Sequence, residues 1–387
     1  MSLTKENDKK YIANTYKRFD LEIVRASGSF AYDDAGNEYI DLATGIAVNS
    51  FGACDGEWLR AVTEQLSLVA HTSNLYYTSP AVKLAQLLCE KTGAKKVFFG
   101  NSGAEANECA IKVARKWGKD NKGDEYTGII TLKNSFHGRT ITTLKATGQD
   151  VFHKDFGPFP DGFLYCEANN CEMLKTMVSG NKCCAIMMEC VQGEGGVLPL
   201  DKEFVACAEA LCRENKLLLI FDEVQTGNGR CGELYAYMTY GARPDIVSTA
   251  KGLGGGLPIG ATLLFDSCEN TLTYGDHGST FGANPVCCAG AISIISRLDG
   301  ALLAGVRERS KIIFDTLAHA EGVKSVTGLG LMIGIETVRD AGEVISRCME
   351  KGVLVIKAKN KVRLLPPLNI ELDVLTRALE ILKEALK

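Results

Sequence analysis

The sequence predicts an α/β protein, a mainly parallel sheet with helices on both faces and a smaller α+β unit beside it. Three observations lead there. From about Lys95 onward, short apolar runs alternate with amphipathic helical segments. Most apolar runs lead into a polar or glycine-rich loop. A late block, Val323–Lys387, mixes strand and helix patterns after that alternation has ended. Strands covered by helices on both sides read as continuous apolar runs, as these do.

The N-terminal segment is polar, and Phe30–Leu42 alternates apolar and polar residues around Asp34-Ala35-Gly36-Asn37, a hairpin signal. Helical periodicity covers Trp58–Ala70 and Ala81–Thr92. KKVFF is a strand, AEANECAIKVARKW a helix and GIITL a strand; CCAIMME, the helix FVACAEALCREN, LLLIFDE and DIVSTA follow. The expected division is a large domain over 50–282 and a small one formed by both chain ends, 1–49 and 283–387, with strands in LMIGIET, VLVIKA and KVRLLP.

Composition narrows the function classes. The 387 residues carry a net charge of −4 with scattered basic residues, so there is no electrostatic footprint for nucleic acid. The fifteen cysteines are odd in number, lack CxxC spacing and follow no signal-peptide pattern. They read as reduced core residues of a cytoplasmic protein. None of the five histidines pairs with cysteine at ligand spacing, so no metal site is expected. No apolar run is long enough to cross a bilayer.

Ligands of an open α/β sheet bind where strands end, so the loops after the strands carry the chemistry. Gly100-Asn101-Ser102-Gly103-Ala104-Glu105 runs straight into a helix whose free N–H groups suit an anion; alone, it reads as a turn capped by Ser102. Ser135-Phe136-His137-Gly138-Arg139 offers an aromatic face and a guanidinium, with His137 read as a hydrogen-bonded structural residue. Glu189 and Glu194 flank a glycine-rich loop, each an ordinary solvated carboxylate if taken by itself. Lys251 ends a buried strand ahead of four glycines within five residues, which reads either as an ordinary surface lysine or as a Schiff-base lysine whose amine reaches a carbonyl cofactor. Gly278-Ser279-Thr280-Phe281-Gly282 places two hydroxyls between glycines, and Arg363 lies in KVRLLPP.

The stretch LLLIFDEVQTG, Leu217–Gly227, has two readings. An acidic strand end holds magnesium in ATPases, but that requires a GxxxxGK[ST] loop, and the only Gly-Lys pair here, Gly118-Lys119, precedes Asp120. The alternative is a carboxylate set beneath a cofactor ring, which Lys251 and the Gly100–Glu105 loop support. Together, GNSGAEANE, SFHGR, VQGEGG, LLLIFDEVQTG, STAKGLGGGLPIG, STFGANP and RLLPPLNI resemble the class III pyridoxal-phosphate aminotransferases, a fold-type I family. NTYKRF and ATGIAVNSFG narrow the likeness to the acetylornithine-directed members, over nearly the whole chain.

That resemblance implies roles. Lys251 would bond to the aldehyde of pyridoxal 5′-phosphate, and Asp222 would hold the proton on the pyridine nitrogen. Gln225 would reach the ring's 3-oxygen and Phe136 would stack on the ring. Ser102, Gly103 and Ala104 would hold the phosphate, joined by Thr280 from across a homodimer interface. Arg139, helped by Ser279, would grip the α-carboxylate of N-acetylornithine. Arg363 would take a carboxylate of 2-oxoglutarate or glutamate, with Glu194 as its displaceable partner. Glu223 would be structural.

The chain departs from the usual family pattern at Cys54-Asp55-Gly56, Cys190, Asn228 with Cys231, and Ala283, which bears on loop shape. Rival readings are an ω-aminotransferase for ornithine, succinylornithine or 4-aminobutyrate, a nucleotide-dependent ATPase, and a non-catalytic oligomeric protein that keeps the fold.

Overall fold

The computed structural model describes residues 2–387. Its centre is a seven-stranded sheet in the order Lys96–Gly100, Gly260–Leu264, Ile246–Thr249, Leu218–Asp222, Cys183–Met188, Gly128–Leu132 and Phe163–Cys166. The strands from Ile246–Thr249 outward to Phe163–Cys166 pair in parallel. Gly260–Leu264 runs antiparallel to both its neighbours, so the sheet is mixed at that edge. This strand and Phe163–Cys166 are not marked by the sequence pattern. Each is short and lies beyond a glycine- and proline-rich segment, which blurs its start.

The alternation of side chains along the strands explains the apolar runs. Leu218 and Ile220 join one buried cluster with Ile111 and Ala114 of helix Gly103–Lys122. Leu219 and Phe221 join another with Phe204 and Ala208 of helix Lys202–Asn215. Both faces are dry, so neither parity tolerates a polar residue until the strand ends at Asp222.

The chain ends meet. The hairpin Phe30–Asp33 and Glu38–Asp41 takes strand Val353–Leu354 as a parallel neighbour through Ile40 and Asp41. A second, wholly antiparallel sheet is built from Val323–Leu329, Met332–Thr337, Lys361–Leu364 and Ile356–Ala358. Helix Leu372–Leu386 buries Leu375, Leu379 and Leu382, the spacing of one helical face, and packs on helix Ala341–Glu350. The N-terminal polar segment contains a helix, Leu3–Tyr11, that buries none of its residues. No single helix among the described residues is long and apolar enough to cross a membrane.

Phe221 is fully buried in the middle of the main sheet. Phe221→Ala is expected to destabilise the protein by about 3–5 kcal/mol, read as a lowered midpoint in urea-induced unfolding. A midpoint equal to that of the unsubstituted protein would show that the two helical layers close over the gap.

Candidate active site

Asp222 is the last residue of its strand, and its side-chain parity matches Ile220, toward helix Gly103–Lys122. There it meets Asn107, whose Nδ2 donates to Asp222 Oδ2 at 2.7 Å and to the His137 carbonyl at 2.7 Å. His137 Nδ1 stands 2.8 Å from the same Oδ2. The carboxylate oxygen only accepts, so the proton belongs on Nδ1. The Val224 N–H donates to Asp222 Oδ1 at 3.0 Å, and Ser248 Oγ fixes Asn107 from behind at 2.5 Å. Asp222 is thus buried among hydrogen-bond donors, and no lysine or arginine pairs with it among the described residues.

A cavity of about 610 Å³ opens beside this carboxylate. Ser102, Gly103 and Ala104 form its floor at the start of a 20-residue helix. Ser102 is the N-cap, its Oγ accepting from the Glu105 N–H at 3.2 Å, so the capping reading of this residue holds. The Gly103 and Ala104 N–H groups lie in the first turn and have no intrahelical acceptor. Phe136, Arg139, Gln225 and Lys251 line the same cavity. Eight of the twelve residues singled out in the sequence therefore meet here.

Phe136 is held by its own N–H, which donates to Glu189 Oε2 at 3.0 Å. Glu189 is not a solvated loop carboxylate: it is buried, and burial, reinforced by Asp222 nearby, holds its carboxyl well above the ordinary value. Arg139 is exposed at the mouth, its guanidinium 4.3 Å from the ring centre of Phe152 and 5.2 Å from that of Phe136. Lys251 adopts a left-handed backbone, φ 45°. Burial lowers its amine pKa and Arg363 adds to this; Glu194, Asp222 and Glu189 oppose it, and the net direction is down.

Arg363 and Glu194 reach the cavity through Gln225. The Arg363 Nη1 donates to Glu194 Oε1 at 2.6 Å and to Gln225 Oε1 at 2.9 Å, while Gln225 Nε2 lies 3.3 Å from Glu194 Oε1. Gln225 is therefore engaged with the ion pair. Ser279 and Thr280 stand apart, in a separate recess of about 590 Å³ with His71 and Asn74. The link is Asn101, which lines the Lys251 cavity and donates to Ser279 Oγ at 3.0 Å. Glu223 points away from the cavity, accepting from Thr226 Oγ1 at 2.6 Å and from the Tyr237 N–H at 2.7 Å. Burial raises its carboxyl to about 7. No metal-binding group of His, Cys, Asp and Glu occurs among the described residues.

Asn107 is a functional candidate that the sequence reading does not single out, and Glu189 is named there only as an ordinary solvated carboxylate. Asn107 had one usable signal, an amide in the otherwise apolar buried stripe Ala106, Cys109, Ala110, Val113. Glu189 had none, because a carboxylate just past a strand end is usually solvated.

Burial pushes the Glu194 carboxyl up, but Arg363 outweighs it and holds the group below its ordinary value of 4.5. A depressed folded-state pKa stabilises above pH 4.5 and is lost as pH falls through the folded value. Glu194→Gln is expected to lower the thermal midpoint at about pH 7 and to leave a shrinking gap as pH drops below about 4.5. A constant gap across that range would mean the pair contributes nothing as an ion pair.

A profile of the family described as Aminotransferase class-III matches residues 11–386. An acetylornithine aminotransferase from Haemophilus ducreyi is 49% identical over 384 residues, covering 99% of this chain and 98% of that protein. One from Caldanaerobacter subterraneus is 43% identical, covering 98% of each. Among solved structures, the ornithine aminotransferase from Toxoplasma gondii aligns with a TM-score of 0.95 at 29% identity, covering 99% of this chain and 94% of that one. The N-acetylornithine aminotransferase from Stenotrophomonas maltophilia aligns at 0.85 and 33% identity, covering 98% and 97%. With a family profile matched almost end to end and relatives above 40% identity along their whole length, this chain belongs to the class-III aminotransferases, a pyridoxal-phosphate-dependent family.

Proposed function

We propose that this protein moves the terminal amino group of N2-acetyl-L-ornithine to 2-oxoglutarate, giving N-acetyl-L-glutamate 5-semialdehyde and L-glutamate, a step of arginine biosynthesis. The substrate class rests on the relatives at 43–49% identity, which carry that activity in their names. The chemistry rests on one observation: a buried carboxylate, an amine of lowered pKa and the start of a long helix face a single cavity.

These residues fit pyridoxal 5′-phosphate. The unpartnered N–H groups of Gly103 and Ala104, beside the Ser102 hydroxyl, suit a phosphate. Asp222 lacks a lysine or arginine partner and suits a protonated ring nitrogen, with Phe136 supplying a flat apolar wall. Bound there, pyridoxal phosphate supplies an electrophilic carbonyl carbon and a cationic ring that accepts electron density as the substrate's C5–H bond breaks.

The chain's own groups do the rest. Burial disfavours the charged form of Lys251, leaving its amine a larger neutral fraction with which to take the C5 proton. Asn107 and His137 hold the Asp222 carboxylate in place, where it would meet the ring nitrogen of the bound cofactor. Arg139, exposed at the mouth, takes the α-carboxylate of the acetylated amino acid, with Ser279 as its helper. Arg363 is covered by Glu194 while that substrate reacts, and takes a carboxylate of 2-oxoglutarate once Glu194 turns away. One pocket thereby serves two substrates in turn.

We also infer that the working unit is a homodimer in the cytoplasm. Ser279 and Thr280 sit in a recess of their own, and Leu75, Tyr77 and Phe281 near it are 87%, 99% and 60% exposed. Apolar surface of that kind supports a second copy closing over it, so that Thr280 of one copy serves the phosphate of the other. The fifteen free thiols support a reducing compartment. A second substrate reading, ornithine, is favoured by the closer superposition on the Toxoplasma gondii enzyme.

The test is the absorbance of the purified protein with pyridoxal phosphate during stepwise addition of amines. N-acetylornithine is expected to bleach the long-wavelength band at the lowest concentration, with 2-oxoglutarate restoring it, and Lys251→Ala is expected to abolish turnover. Stronger bleaching by ornithine or 4-aminobutyrate would transfer the assignment to that amine. Absence of any band would refute the role of Lys251.

A further inference from the structure

Asn228, in the turn that follows the Asp222 strand, lies against the peptide that leads into Lys251. It is 2% exposed, with a left-handed backbone of φ 58° that asparagine tolerates better than most residues. Its Nδ2 donates to the Ala250 carbonyl at 3.1 Å and to Thr249 Oγ1 at 3.0 Å. The orientation of the amide is fixed chemically, because the Ala250 carbonyl accepts and never donates. That carbonyl also takes the Leu253 N–H at 2.9 Å, so both its lone pairs are engaged in the peptide that leads into Lys251.

The other side of Asn228 has no such match. Its Oδ1 is buried without a partner, an unfavourable arrangement for a polar atom. An apolar side chain would avoid that penalty, so it is the two donated bonds that account for an amide at this position. What they hold is strained: Lys251 itself has φ 45°, in a region that non-glycine residues rarely enter.

The turn that carries Asn228 is anchored at its far side. Arg230 donates to the carbonyls of Pro366, at 2.5 Å, and Leu331, at 3.2 Å, and its own carbonyl accepts the Leu331 N–H at 2.9 Å. Pro366 lies three residues beyond Arg363. A short relay therefore runs from the arginine-bearing strand, through the turn Gly227–Gly232, to the peptide before Lys251.

We propose that Asn228 is a positioning residue for Lys251, its amide pinning the Ala250 carbonyl and so holding the left-handed turn that aims the amine into the cavity. The inference rests on the reading of Lys251 as the reacting amine. Two variants test it. Asn228→Asp sets an acceptor against the Ala250 carbonyl, and Asn228→Gly keeps the left-handed backbone while removing the amide. For each, kcat, KM and the pH midpoint of the long-wavelength band of the cofactor-loaded protein are measured.

Both variants are expected to lose roughly 10-fold in kcat, to keep KM within about twofold, and to shift the pH midpoint by about 0.5 unit or more. If Asn228→Asp does not fold, Asn228→Gly alone carries the same test. An unchanged midpoint with kcat within about twofold of the parent overturns the proposal, even if the melting temperature falls. So does a raised KM at constant kcat, which would put Asn228 on the substrate side. A parent protein without the band overturns the underlying reading of Lys251, an outcome distinct from a parent with the band and variants indistinguishable from it.

Discussion

Everything at the site is arranged around one buried carboxylate. A charge removed from water must be compensated by donors, and Asp222 takes its donors from three separate segments: a helix, a loop and its own following turn. Each bond fixes the segment that supplies it. Asn107 sets the roll of helix Gly103–Lys122, and therefore where its N-terminus faces. His137 sets the loop that carries Phe136 and Arg139. The separation between the helix start and the Asp222 carboxylate is thus set by hydrogen bonds that belong to the protein alone.

A second charge arrangement lies beside the cavity. Arg363 is almost wholly buried, and a buried guanidinium without a partner is strongly unfavourable. Glu194 and Gln225 satisfy it within the protein. Glu194 is the more exposed partner, its side chain 29% exposed against 2% for Arg363. A dicarboxylate that displaces it replaces one carboxylate by another, so the exchange is nearly balanced in charge. Arg139 is the opposite case: exposed, stacked on aromatic rings and without a carboxylate of its own.

Much of this was legible in the residues. The alternation of apolar runs and amphipathic helices gave the main sheet because strands covered on both faces need unbroken apolar composition. The loops after those strands gave the cavity because parallel strands all end on the same side. Gly260–Leu264 escaped because five residues after a glycine-rich loop carry too little pattern to separate strand from turn. Asn107 and Glu189 escaped for a different reason. Their roles depend on which side chain lies opposite across a helix–sheet contact, a fact of packing that no local spacing contains. His137 could be read as hydrogen-bonded, yet its partner, 85 residues away, could not be named.

The cysteines have a consequence of their own. Of fifteen, Cys54 alone is exposed, three are half-buried, and the other eleven lie in the core. Burial pushes the thiols of Cys109 and Cys184 up to about 12, where almost no reactive thiolate forms near neutrality. The folded chain is thus nearly silent to a thiol-labelling reagent, and each region that opens unmasks its own sulfur. Cys287 and Cys288 report on the helix that packs against Gly56–Leu68, Cys348 on the smaller unit, and Cys190 and Cys231 on the ground behind the lysine. The molecule carries a built-in map of its own breathing, written in the order in which its thiols become labelled.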